Sequence, residues 1–236
     1  MRFAFLILVA TMTIISGCRN SSGIRNYWSS HTPDISDYNV AEEEFARFAE
    51  LAVQAPEGDA VAAVYQLIKK ASRQDEVTYL VYIDLITRGF SLIASPCYAP
   101  DLFVHAADRI LSGKHLDGYT RAQLLQRRQF CSSNRVGEQV RLPINYPVAK
   151  RTLFLVVDHD CSSCRKAMTR LSGEFSDICL VALCNGHGPL PTEPGWDCYL
   201  LPYDQDILDT EAGPYYFVAA ADGTVETSYK SVYDTL

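Results

Sequence analysis

Apolar residues recur at three- and four-residue spacings through the first half of the chain, then give way to short continuous or alternating runs. Over residues 41–54, Phe45, Phe48, Ala49, Ala52 and Val53 fall on one stripe, the pattern of an amphipathic helix. A second helix is expected over 59–72 with Val61, Val64, Tyr65 and Ile68 facing inward, and a third over 76–90. Pro100 opens a fourth over 100–111, and 120–131 makes a fifth. After Gly137 the period changes. Residues 140–142 read as a short edge strand before Pro143, 153–157 as a buried strand, and 161–175 as a helix. The continuous apolar run 178–183 reads as a second buried strand. A loop bearing Pro189, Pro191 and Pro194 follows over 186–196, and 215–220 with 225–229, joined at Asp222-Gly223, read as a hairpin.

Four segments are expected: a signal peptide over 1–17, a flexible tether over 18–37, a helical bundle domain over 38–136, and a strand–helix–strand–hairpin domain over 137–236. The fold class is α+β overall, a small all-α domain followed by an α/β domain. The first assignment rests on Arg2, the apolar run 3–15 and the small residues Ser16 and Gly17. That run is shorter than the roughly 20 residues a spanning helix needs. Ile15-Ser16-Gly17-Cys18 resembles a bacterial lipobox, which implies acylation of Cys18 and a lipid anchor in the cell envelope. Arg19 stands where some bacteria use aspartate to retain a lipoprotein at the inner membrane, a weak lean toward the outer one that leaves the choice of membrane undecided.

Composition narrows the classes of function. A formal net charge of -7 and the lack of a basic face speak against a nucleic-acid partner, and 48% hydrophobic residues provide ample core. Eight cysteines suit an oxidising compartment. If Cys18 carries lipid and Cys161 pairs with Cys164, then Cys97, Cys131, Cys179, Cys184 and Cys198 remain, an odd number that leaves at least one thiol unpaired. Cys97 and Cys131 form either a second disulfide or two ordinary buried thiols.

The chemistry concentrates at Cys161-Ser162-Ser163-Cys164, which follows the buried strand through Asp158-His159-Asp160 and opens a helix. Thiols at this spacing can close a disulfide, and the first sits where unpaired N–H groups and the helix dipole favour negative charge. Cys161 is then expected to be the nucleophile and Cys164 the resolving thiol, the alternative being a structural disulfide without turnover. Arg165 and Lys166 favour the thiolate, Asp158 and Asp160 oppose it, and His159 is a candidate for tuning or proton transfer. A zinc site built from these cysteines with Cys179 and Cys184 is disfavoured, because five residues apart on one strand the latter two face opposite sides. No metal is therefore assigned. Gly213-Pro214 precedes the hairpin and is a candidate substrate contact, since a cis X-Pro bond would leave neighbouring backbone open to an extended partner.

The segment 152–168 around the CxxC, with Tyr203-Asp204 and the region 213–225 downstream, resembles the thioredoxin-like domains of Bacteroidetes-type envelope lipoproteins. Residues 42–90 and 98–136 look like the uncharacterised helical domain that often precedes them. The resemblance implies a periplasm-facing thiol-disulfide oxidoreductase that needs no metal or organic cofactor beyond its Cys161-Cys164 disulfide. Its implied partners are envelope proteins with thiols or disulfides and an electron donor or acceptor. Cys161 would be the nucleophile, Cys164 the resolver and Pro214 the cis-proline. Three departures stand out: Asp160 replaces the tryptophan that often precedes the first cysteine, Leu155 replaces a buried acid, and the chain beyond Tyr229 is too short for a full closing helix. They motivate a rival reading, a non-catalytic binding or scaffold lipoprotein with a degenerate thioredoxin-like domain.

Overall fold

A computed structural model describes residues 21–113, 116–142, 144–146, 150–158, 161–185, 190–201, 208 and 214–232. The first half is helical: α1 (Ser21–Arg25), α2 (Tyr27–Ser30), α3 (Tyr38–Val53), α4 (Glu57–Ala71), α5 (Glu76–Ser91), α6 (Pro100–Leu111) and α7 (Gly118–Cys131). Local chemistry sets several starts. The carboxylates of Asp37, Asp75 and Asp117 accept from the backbone N–H groups of Asn39, Thr78 and Thr120, satisfying donors that have no intrahelical partner. Pro100 starts α6, where a missing N–H costs nothing. Among the described residues no helix is long and apolar enough to cross a membrane.

Two details differ from the sequence pattern. The inner face of α4 is Ala60, Ala63, Val64, Leu67, Ile68 and Ala71, whereas Val61 and Tyr65 are only half-buried. Small alanines let the neighbouring helices approach closely, so the buried stripe is rotated from the one that bulky residues suggested. Tyr65 instead receives the Arg109 guanidinium over its ring, 5.9 Å from the centroid. On α3, Val53 is exposed while Ala41 takes a core position.

Residues 21–30, expected to belong to a flexible tether, form α1 and α2 and pack on the bundle. Ile24 and Trp28 are buried, and the indole meets Phe48 and Tyr82 edge-on at centroid distances of 5.2 and 5.9 Å. Lys70 Nζ donates to the His31 carbonyl at 2.9 Å, and Gln74 Nε2 to that of Pro33 at 2.5 Å. Burial of the aromatic residue, not local periodicity, orders this stretch.

The second half holds β1 (Thr152–Asp158), α8 (Ser162–Glu174), β2 (Cys179–Asn185), β3 (Trp196–Leu200), β4 (Tyr215–Ala219) and β5 (Val225–Ser231). They build a sheet of order β3-β2-β1-β4-β5, with β1, β2 and β3 parallel and β4 and β5 antiparallel to their neighbours. Side-chain alternation divides the sheet into two faces. Leu153, Leu155, Val157, Ala182, Cys184, Tyr216 and Val218 pack with Cys164, Ala167, Met168 and Leu171 of α8. Phe154, Val156, Val181, Leu183, Tyr215, Phe217 and Tyr229 instead join the apolar cluster that runs through the helices. Tyr146, ahead of β1, covers part of this face and meets Phe154 edge-on at 4.7 Å.

Strand β3 was not anticipated, and it extends the sheet at the far edge from β5. The strand expected over 140–142 does not form. The chain there makes an isolated bridge between Gln139 and Thr224, supported by bonds from Gly137 N to Val225 O and from Val140 N to Gly223 O, each 2.9 Å. Gly137 at φ +87° supplies the left-handed turn that brings the segment alongside.

Asn134 joins the helices to the sheet. It is fully buried at φ +52°, a region asparagine tolerates better than most residues. Its Oδ1 accepts from Arg141 N at 2.7 Å and its Nδ2 donates to Tyr229 Oη at 2.9 Å. Asn134→Ala removes these bonds, together with the one from Nδ2 to the Arg141 carbonyl at 3.3 Å, and leaves at positive φ a residue whose side chain cannot hydrogen-bond the local backbone. The expected loss is about 2–3 kcal/mol, seen as a melting midpoint lower by about 5–10 °C in a calorimetric scan.

Candidate redox site

Helix α8 begins where β1 ends, which puts its N-terminus at the carboxyl edge of the parallel strands. Cys161 is the N-cap, at φ -82° and ψ 106°, and its Sγ accepts from the Cys164 backbone N–H at 3.1 Å. A sulfur thus occupies the capping role usually filled by a hydroxyl or carboxylate oxygen, and the free N–H groups of the first turn favour negative charge there. Ser163 Oγ lies 3.0 Å from the same sulfur. Cys161 and Cys164 are joined in a disulfide with their Cα atoms 5.2 Å apart.

Exposure differs between the two sulfurs. Cys161 is half-buried and Cys164 is 2% exposed, packed in the α8 face of the sheet. An incoming thiolate therefore reaches Cys161 and not its partner. Arg165, closing the first turn of α8, and Lys166, opening the next, are both exposed. Leu155, at the place of the absent acid, is fully buried in the same apolar cluster as Cys164.

Pro214 stands at this end of the sheet. In the antiparallel β1–β4 ladder Val156 opposes Tyr215, so Pro214 falls one step further along, level with Val157. It is buried, and its carbonyl accepts from Val232 N at 3.4 Å. Arg170 of α8 donates from Nη2 to the Val232 carbonyl at 2.7 Å, a bond linking the redox helix to the strand end that supports Pro214. Nothing in the sequence pattern marked Arg170, because its partner is a backbone carbonyl 62 positions away. His159, Asp160, Gly213 and Cys18 lie outside the described residues.

The remaining cysteines separate by face. Cys179 packs toward the helical cluster, while Cys184 is fully buried on the α8 side with Cys198 half-buried beside it. Cys179 and Cys184 cannot both turn toward the CxxC, and among the described residues no group of three or more His, Cys, Asp or Glu converges as metal ligands. Cys97 and Cys131 are both buried, and no disulfide joins them. Burial, reinforced by Cys198, pushes the Cys184 thiol up to about 12 from its ordinary value of 9.0. Its stabilising contribution is complete below pH 9 and is lost as pH climbs from there to about 12, where the unfolded thiol ionises and the folded one does not. After mild reduction at pH 8, iodoacetamide should modify Cys161 and leave Cys184 unlabelled in the native protein, as read by peptide mass spectrometry.

No family model and no curated relative matches the sequence. Among solved structures, the chain is similar to a thioredoxin-like protein from Bacteroides caccae, with a TM-score of 0.67 at 14% identity, covering 100% of this chain and 97% of that one. The fold is thioredoxin-like. Cys161 and Cys164 stand at the start of α8, the helix that packs on β1 and β2 of this sheet. The thioredoxin-like sheet here carries α8 on one face and the helical half of the chain on the other.

Proposed function

We propose that this protein is a thiol-disulfide oxidoreductase, anchored in the cell envelope by lipid on Cys18 and facing the periplasm, that acts on disulfides or thiols of envelope proteins. The observation that carries the reading is the asymmetric disulfide: an accessible Cys161 capping a helix, bonded to a buried Cys164, with Pro214 at the same end of the sheet.

In the reducing direction the cycle balances as follows. A donor dithiol first reduces the Cys161–Cys164 disulfide. The Cys161 thiolate attacks one sulfur of a substrate disulfide, forms a mixed disulfide and expels the first substrate thiolate. Cys164 then attacks Cys161, restores the internal disulfide and expels the second, with its proton passing to the departing sulfur. The substrate gains two electrons and two protons. In the oxidising direction the same steps run backward, and the potential of the couple relative to its partners decides which occurs, at roughly 1.4 kcal/mol per 30 mV.

Leu155 favours a second reading. No carboxylate occupies that buried position beside Cys164, so resolution has no acceptor for its proton there, as in a scaffold protein whose redox fold is degenerate. Insulin reduction with dithiothreitol as donor separates the two. The oxidoreductase precipitates the insulin B chain faster than donor alone, and the scaffold protein does not.

A further inference from the structure

The helical half meets the sheet behind Pro214. Phe130, next to the last residue of α7, is buried and stacks on Tyr229 of β5 with centroids 4.7 Å apart and planes at 24°. It meets Tyr215 of β4 edge-on at 6.1 Å, and the two tyrosine rings meet each other at 5.3 Å and 89°. Asn134, just past α7, donates to the hydroxyl of Tyr229. Three rings and one amide thus form a closed wedge at the amino end of β4.

Tyr215 directly follows Pro214. Tyr215 and Phe217 point to the helical side, and Tyr216 and Val218 to the α8 side. By the same alternation Pro214 faces α8, the side of the disulfide. A displacement of Tyr215 toward the helices therefore moves Pro214 relative to Cys161, because the two residues share one peptide bond.

We propose that Phe130 is a positioning residue: acting through Tyr215, it fixes the backbone at Pro214 against which an extended protein substrate docks, so the helical half governs recognition of protein substrates. This rests on the oxidoreductase reading. Its physical basis is that a truncated ring leaves a void which the surrounding residues fill only partly. A misplacement of about 1 Å at a docking surface can cost up to about 100-fold in rate. A small disulfide that needs only Cys161 makes no use of that surface.

The test compares a protein disulfide, insulin, with 2-hydroxyethyl disulfide, using full-length wild type, Phe130→Ala and Phe130→Leu. For Phe130→Ala, KM for insulin should rise about tenfold, while turnover of the small disulfide and the equilibrium potential of Cys161–Cys164 hold. Phe130→Leu, which keeps much of the volume, should raise KM for insulin about threefold, and it carries the test if the alanine variant does not fold. The inference is overturned if a folded variant, checked by circular dichroism, keeps the wild-type KM for insulin, or if both substrates slow in parallel. Failure of wild type with both disulfides would sink the oxidoreductase reading, and this inference with it.

Discussion

Cys161→Ser is expected to lose all turnover of protein disulfides, down to the rate with donor alone, whereas Cys164→Ser should stall with substrate covalently attached. The difference follows from exposure. Cys161 is the half-buried sulfur at the helix N-terminus, held 3.1 Å from the Cys164 amide, and a serine hydroxyl there is not ionised near neutrality. Cys164 is 2% exposed and enters only after the mixed disulfide has formed. Removing it leaves the first step intact and blocks the second, so non-reducing electrophoresis of Cys164→Ser mixed with an envelope extract should reveal adducts that dithiothreitol dissolves. Adducts absent from Cys164→Ser, together with a wild type that turns over no faster than donor alone and is unchanged by either substitution, would leave the scaffold reading standing. The absence of a buried acid at Leu155 adds a kinetic expectation: in wild type the mixed disulfide should decay faster as pH rises, because Cys164 must lose its proton without a local carboxylate.

Trp28→Ala should destabilise the protein by about 3 kcal/mol. The indole is fully buried between Phe48 and Tyr82, and truncation leaves a cavity that fixed helices cannot close. The estimate sits at the lower end for large-to-small changes because the Nε1 donor is buried with no hydrogen-bond partner among the described residues, so its removal relieves about 1 kcal/mol of desolvation. Urea unfolding followed by far-ultraviolet circular dichroism measures the change as a lower midpoint at unchanged slope. A loss below about 0.5 kcal/mol, the size expected of a surface position, would show that residues 21–37 are only a tether.

What the sequence revealed depended on whether a signal was local. Helix α6 has Pro100 at its start and a regular stripe of Leu102, Phe103, Ala106, Ala107 and Ile110, and its bounds match the expected ones. The CxxC was legible because strand, turn, sulfur and helix follow one another without interruption. Helices α1 and α2 were not, since five and four residues are too few to display a period. Strand β3 was hidden because Trp196, Asp197 and Cys198 follow a proline-rich stretch and show neither a continuous nor a clean alternating run, as suits an edge. The seating of the helices on the sheet was equally invisible. It depends on Phe130 meeting Tyr229 and on Asn134 reaching the same residue 95 positions later, pairings that no window of sequence contains.

The apolar cluster that passes unbroken from the helices onto one face of the sheet makes the two halves poor candidates for separation. Cut away after Gly137, the redox half would carry Phe154, Val156, Val181, Leu183 and Phe217 as a naked oily slab, and such a fragment would clump rather than dissolve. During synthesis the helices leave the ribosome ahead of the strands whose oily face they will cover.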